Sequence, residues 1–458
     1  PAKCPTGQGC GGDADCNNVR CNMMTLVCDP ATSTDGLKNG TETDVDCGGG
    51  APKCIFGKTC SVAGDCSSAA CSAGTGTCTL HSCATLETAG IVTCGAGETG
   101  AMGATHESCC KSLTLPTRTT KRLDKYEITS GRFRTFLTQA GPDLRTWVTS
   151  YVAAHPTSQL ATLVGLGTVT TIYPDADRFD AHSLTAHMEL DIDNYNGIRG
   201  CYNGAGDYAA NTYWEDATHE ADFGIPARSL PRSVSDEKPL NCAMPMMFAA
   251  FCAWDGDAQL ATLADYHDAW VDTYPWGAAD IHRPQYNWCN GTYDNGGFTC
   301  QCDGTHNAIG TAACPAPASQ FQVDGENGVF YEYPLATDRS LDNEPLIAAP
   351  GRMTGDASRL TGDGEHWMDL WANLAEYTGD FTASTADWCD FSVDGGAGGC
   401  TRTNKGGTGV HYTNIPKAGI IGVSWEGHQY DRGSTAAFQV TFQYGKFGGR
   451  CVRPVANY

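Results

Sequence analysis

Asn241-Cys-Ala-Met-Pro-Met-Met-Phe-Ala-Ala-Phe-Cys-Ala-Trp-Asp-Gly256 is the stretch on which the reading of the fold turns. Its run from Cys242 to Trp254 is the longest markedly apolar segment, and its pattern predicts a short helix over Met246 to Trp254. A membrane helix needs roughly 20 apolar residues, so this run does not cross a bilayer. Upstream, Leu123-Asp-Lys-Tyr-Glu-Ile-Thr-Ser-Gly-Arg-Phe-Arg-Thr-Phe-Leu137 predicts a strand-like start and then an amphipathic helix over Gly131 to Ala140, with Phe133, Phe136 and Leu137 on one face. From Leu123 onward aromatic and aliphatic residues become frequent, and Gly- or Asp-rich loops separate them, which assigns 123–458 to one large domain.

The first 80 residues differ. They hold 11 cysteines and almost no aliphatic periodicity, so disulfides rather than a hydrophobic core must hold them. Cys4, Cys10, Cys16, Cys21 and Cys28 recur as Cys54, Cys60, Cys66, Cys71 and Cys78, each displaced by 50 positions, with Lys3/Lys53, Gly7/Gly57 and Asp15/Asp65 in register. We read two modules, 1–34 and 35–80, sharing one disulfide connectivity because identical spacings give the same loops to close. The second copy has one cysteine more, Cys47, whose counterpart in the first would lie before Pro1. Any surplus thiol is therefore expected in the incomplete first module, at Cys4. Residues 81–122, with Cys83, Cys94, Cys109 and Cys110 in Gly- and Thr-rich surroundings, read as a disulfide-tied connector.

The 25 cysteines point to an oxidising compartment, since most spacings match neither zinc nor iron–sulfur sites. With no basic-then-apolar leader at Pro1, the chain reads as a mature extracellular or cell-surface protein. Acidic residues outnumber basic ones 52 to 29, and a net charge of −23 argues against any grip on nucleic acid or an anionic membrane. Between the modules, Asp35, Asn39, Glu42, Asp44 and Asp46 place five oxygen-bearing side chains on a Gly-containing turn. Calcium and a plain Asx-rich turn are both open readings of it. The stretch resembles the "NGxETDxDCGG" cysteine repeat of myxobacterial surface proteins.

Three groups of segments in the large domain carry a second resemblance. They are the Leu123–Leu137 stretch; Asn241–Gly256 with Leu260–Tyr266 and Tyr274-Pro-Trp-Gly277; and Met368-Asp-Leu-Trp-Ala-Asn-Leu-Ala-Glu-Tyr377 with Gly422-Val-Ser-Trp425 and Gly448-Gly-Arg-Cys-Val-Arg-Pro454. In this order they resemble the formylglycine-generating enzyme family, the sulfatase-modifying-factor domain. The resemblance implies an α+β fold related to C-type lectins, with long loops and disulfides, and the Cys109-Cys110 pair matches myxobacterial members.

Enzymes of that family oxidise a substrate cysteine with a copper-binding cysteine pair, sulfur being both a soft Cu(I) ligand and an exchange nucleophile. By direct count those positions here are Gly427 and Arg432, which cannot carry that chemistry. Iron-dependent sulfoxide synthases on this fold use a His-x3-His-x-Glu motif. His182, His187 and Glu189 are the nearest match, with histidines five apart that would diverge on a helix. The family's calcium site does transfer, mapping to Asp369, the Ala372 and Leu374 carbonyls, and Glu376; a second would begin at Asn287 with the Trp288 carbonyl.

Asp191-x-Asp193-x-Tyr195-x-Gly197 imitates part of a calcium loop but reads better as a turn, and Asn39-Gly-Thr41 and Asn290-Gly-Thr292 are glycosylation sequons by pattern. The expected function is a non-catalytic, calcium-binding surface protein that binds a partner or assembles with its own copies, as in a filament. A glycan-binding adhesin, with Trp367–Tyr377 and Tyr286–Tyr293 as sugar platforms, and an oxidoreductase of altered chemistry are the alternatives.

Overall fold

A computed structural model describes residues 3–17, 20–95, 106–140, 143–173, 232–270, 349–351, 358, 361, 364–371, 373–390, 395–401, 408–422, 433–442 and 447–455. The chain divides into two compact units, Pro1–Leu86 with Ala456–Tyr458, and Glu87–Val455. The cut falls inside the segment read as a connector. Residues 81–86 go with the cysteine modules and 87–122 with the large unit, where β3 (Ser112–Thr114) pairs antiparallel with β4 (Lys121–Asp124). Helices and sheets are both present, an α+β architecture.

In the first unit the two modules match bond for bond at an offset of 50. Cys10–Cys21 and Cys16–Cys28 recur as Cys60–Cys71 and Cys66–Cys78. The backbone bond Cys10 N to Leu26 O, 2.9 Å, recurs from Cys60 N to Gly76 O, also 2.9 Å, and Asn17 N to Cys4 O, 2.9 Å, recurs from Ser67 N to Cys54 O, 2.8 Å. The hairpin of β1 (Cys21–Asn22) and β2 (Val27–Cys28) has its counterpart in the bridge between Cys71 and Cys78. Half-cystines form the buried cores, because so few aliphatic residues are on hand to do it. Cys47 pairs with Cys54, and the free thiol among the described residues is Cys4, which occupies the place of Cys54 in the first module.

The large unit packs helices against two sheets. α1 (Ser130–Gln139) starts at Thr129, whose hydroxyl accepts the Arg132 amide, and α2 (Leu144–Ala154), α3 (Gln159–Gly165) and α4 (Val169–Ile172) follow. α5 (Arg232–Glu237) precedes α6 (Pro245–Trp254), which opens on a proline that needs no amide partner there. Every residue of α6 is buried, as an all-apolar helix requires, and α7 (Leu263–Trp270) is the last helix among the described residues. Phe133 and Phe136 of α1 meet Phe251 of α6 at ring-centroid distances of 5.6 and 5.8 Å, and this aromatic contact is the centre of the core.

One sheet has the order β3-β4-β11-β5, with β5 at Gln259–Leu260 and β11 at Cys451–Pro454. The other runs β10-β6-β8-β7, with β9 also on β8; its strands are β6 (Ala375–Asp390), β7 (Cys400–Thr401), β8 (Thr408–Ile421), β9 (Ser434–Gln439) and β10 (Phe447–Gly448). The Cys252–Cys451 disulfide ties α6 to β11 across 199 positions, and Cys389–Cys400 joins β6 to β7. Beneath β4 lies a fully buried ionic chain. Arg132 reaches Asp255 at 2.7 Å and Asp124 at 3.2 Å, and Asp124 also takes Arg453 at 2.7 Å.

Two measurements check this description. Peptide mapping without reduction should return the same crossed pairs from both modules, with an alkylating label on Cys4. Arg132→Ala takes its guanidinium from buried Asp255 and leaves Asp124 with Arg453 alone, and it should lower unfolding free energy by about 3–5 kcal/mol in denaturant titration, whereas a loss under about 1 kcal/mol would show that this ionic chain is not an anchor.

Candidate functional site

The loop from Trp367 to Leu374, ahead of β6, folds back sharply, with Asp369 at φ +54 and Asn373 at φ +72. Gly422 at the end of β8 comes close to it: a Cβ there would lie 3.2 Å from the Trp371 carbonyl oxygen. The fold brings Asp369 and Glu376 into one buried acidic cluster, each about 1% exposed. Leu374 is buried beside them, its amide donating to Glu127 Oε1 at 3.3 Å. Ala372, the remaining residue of this set, lies outside the described residues, as do Asn287 and Trp288.

Two further members of the cluster, Glu127 and Arg450, lie within the segments that carry the family resemblance but outside its calcium set. Glu127, completely buried in the loop between β4 and α1, accepts from Asn373 Nδ2 at 2.9 Å. Arg450, also fully buried, donates to Glu376 Oε1 at 2.6 Å and to the backbone carbonyls of Lys125 and Asp369, each at 2.7 Å. In the sequence they stand as an acid within Asp124–Ser130 and an arginine after the Gly448-Gly449 pair. What is not visible is that they meet.

Three carboxyls share one guanidinium. Burial drives the Glu376 carboxyl up to about 6 against the opposing pull of Arg450, and it drives Glu127 well above the carboxylate range, with Asp369 adding repulsion. Tyr266 faces the same group, its hydroxyl pushed up by burial and by Glu376. A fully ionised trio would leave an excess of negative charge in a low-dielectric interior, so protons or a cation must balance it. Among the described residues no three carboxylate or histidine ligand atoms lie within 4.8 Å of one another. A cation here would therefore draw on two side chains plus carbonyl oxygens, as hard Ca²⁺ commonly does. The cysteine triplets that do come that close, Cys10/Cys16/Cys28 and Cys60/Cys66/Cys78, are in disulfides and hold no metal-binding thiolate.

The inter-module acids are placed differently. Asp46 Oδ1 accepts the amides of Asp35 and Gly36 at 2.9 and 3.1 Å, and Asp35 accepts the Leu37 amide and the Asn39 side chain at 3.0 and 2.9 Å. Glu42 takes the Asn39 amide at 3.0 Å. Asp44 takes the Thr59 amide at 2.7 Å, which lowers its carboxyl to about 2. Asp35, Glu42 and Asp46 cap amides of their own loop, in the manner of Asx-turns, and Asp44 caps Thr59; of these loop residues Asn39 carries a buried side-chain oxygen, Oδ1, with no donor.

Gly427, Arg432, His182, His187, Glu189, Asp191, Asp193 and Tyr195 all lie outside the described residues. Of the aromatic segments, Trp367, Trp371 and Tyr377 are buried rather than displayed, which removes them as a sugar platform; Tyr286–Tyr293 is outside the described residues. Comparison with protein-family models, with curated proteins and with solved structures finds no match in any of the three.

Proposed function

We propose that the chain is a non-catalytic extracellular protein of a cell surface that acts by contact. Its disulfide modules offer a binding surface to protein partners, including its own copies, and its large unit is a calcium-stiffened scaffold similar to the formylglycine-generating enzymes. One observation carries the contact reading. The hairpin tip of the first module is Met23-Met24-Thr25-Leu26, where the second has Ala73-Gly-Thr-Gly76 on the same turn. Met24 is 95% exposed, and Leu26 sits at φ +53 where its counterpart is glycine at φ +64. The turn does not need these side chains, and leucine in the left-handed region costs about 1 kcal/mol relative to glycine. Large apolar groups held exposed against that cost fit a surface built for contact.

Extensive disulfides support an extracellular setting, and no helix among the described residues is long and apolar enough to cross a membrane. For calcium, the support is the excess of buried carboxyls over guanidinium around Asp369 and Glu376, together with the suitability of their loop carbonyls as hard donors. For the absence of catalysis, the support is Gly427 and Arg432 in the sequence positions of a copper-binding cysteine pair.

Transplanting the second module's tip, with Met23→Ala, Met24→Gly and Leu26→Gly, should abolish concentration-dependent association in sedimentation without lowering thermal stability. An unchanged particle-size distribution would count against the contact surface. Ca²⁺ at about 100 times its Kd should stabilise the parent by about 2.7 kcal/mol. Asp369→Asn with Glu376→Gln, which keeps an acceptor for Arg450, should remove that gain, and an equal calcium response in both proteins would reject the site. Incubation with copper and a cysteine-containing sulfatase peptide should yield no aldehyde by mass spectrometry; turnover would overturn the non-catalytic reading.

A further inference from the structure

The hairpin tip of the first module is held from beneath. The Leu26 amide donates to the Asn22 carbonyl at 2.7 Å, and Asn22 Oδ1 accepts the amides of Met24 and Thr25 at 3.0 and 3.2 Å. The second module builds the same turn on Ser72, whose carbonyl accepts the Gly76 amide at 2.9 Å and whose Oγ accepts the Thr75 amide at 3.2 Å. Each turn stands on a matching pair of disulfides, Cys10–Cys21 with Cys16–Cys28 and Cys60–Cys71 with Cys66–Cys78. Backbone, one polar side chain and half-cystines therefore make the frame. Where the second module completes it with Ala73 and Gly74, the first carries Met23 and Met24.

Exposure sets these two methionines apart. Met23 is 67% and Met24 95% exposed, whereas Met244, Met246, Met247 and Met368 are buried in the large unit. Met102, Met188 and Met353 lie outside the described residues. A thioether in contact with solvent is open to a peroxide, and one packed in a core is shielded from it. The reaction changes the character of the side chain: a flexible apolar group becomes a polar sulfoxide. Leucine or valine would give the tip the same apolar area without this chemistry.

We propose that Met23 and Met24 make the tip a peroxide-sensitive contact: oxidation of the pair to sulfoxides releases the partner, and their reduction restores binding. The inference rests on the reading of the tip as a contact surface. In the forward step a sulfur lone pair attacks one oxygen of hydrogen peroxide. The S–O bond forms, the O–O bond breaks, and the departing hydroxide takes the proton left on the transferred oxygen and leaves as water. Sulfur loses two electrons and the peroxide gains them. In the reverse step a dithiol closes to a disulfide, the oxygen leaves as water and the thioether returns. Neither methionine side chain holds the turn, so oxidation alters the contact and leaves the module folded.

The test follows the full chain by sedimentation in three states: untreated, after brief hydrogen peroxide, and after peroxide followed by the two stereospecific methionine sulfoxide reductases with their dithiol, the dithiol without the enzymes serving as control. Peptide mapping should find sulfoxide at Met23 and Met24 before the buried methionines react. Self-association should weaken at least about tenfold with an unchanged circular dichroism spectrum, and the reductases should restore it. An untreated chain that does not associate overturns the contact reading and the switch with it. So does a chain with Met23→Ala, Met24→Gly and Leu26→Gly that associates as the parent does. Association that survives full conversion of Met23 and Met24, or a loss that the reductases do not reverse, overturns the switch alone.

Discussion

A single guanidinium, that of Arg450, holds together three segments that lie far apart in the chain. It bonds Glu376 at the start of β6, the Asp369 carbonyl in the preceding loop, and the Lys125 carbonyl just after β4. With Glu127 receiving Asn373 and Leu374 from the same loop, the junction between the two sheets depends on polar groups rather than on side-chain shape alone. A second buried chain, Asp255–Arg132–Asp124–Arg453, does the same between α1, the end of α6, β4 and β11. Such pairs add little net stability compared with apolar packing, yet losing one partner leaves an unpaired buried charge. That asymmetry makes them effective at specifying one arrangement of loops that carry little regular structure.

The two units solve the stability problem by different means. The large unit has a continuous core in which α6 is surrounded by Phe133, Phe136, Tyr377 and Phe447, and its disulfide from Cys252 to Cys451 reinforces packing that is already dense. The modules have no such core, and their sulfurs fill it instead. Short cross-linked loops restrict the unfolded chain, which compensates for the small apolar area that a module of some 30 residues can bury. It also frees the module surface from a folding role, so the Met23–Leu26 tip can differ from its Ala73–Gly76 counterpart without disturbing the frame.

Repetition within one chain acts as a control on structural interpretation. Asp15 and Asp65 are identical residues in identical backbone settings, yet one is exposed and the other is covered by Gly49 and its neighbours. Their difference cannot come from local sequence and reflects what is docked on top. The same comparison explains the inter-module acids: Asp44 is committed to the Thr59 amide and Lys58, and Asp46 to the amides of Asp35 and Gly36, so these carboxylates organise the docked segment.

What the sequence determined by itself is local or periodic. The displacement of 50 dictated a shared connectivity, because equal spacings close equal loops, and it singled out Cys4 as the cysteine without a counterpart pair. The apolar patterns placed helices over Gly131–Ala140 and Met246–Trp254, each within one residue of the observed Ser130–Gln139 and Pro245–Trp254, since a face that must be buried repeats with the helical turn. Asp369 and Glu376, the acids proposed for calcium, were marked by the family resemblance, but Glu127 and Arg450 were not, because their partners lie 74 to 325 positions away and nothing in the local pattern marks the meeting. Only the tertiary structure decided that the inter-module carboxylates cap amides, that 87–122 belongs to the large unit, and that Trp367 and Trp371 are buried. A carboxylate or an indole has several chemically acceptable partners, and which one it takes depends on where the rest of the chain puts a donor or a packing surface.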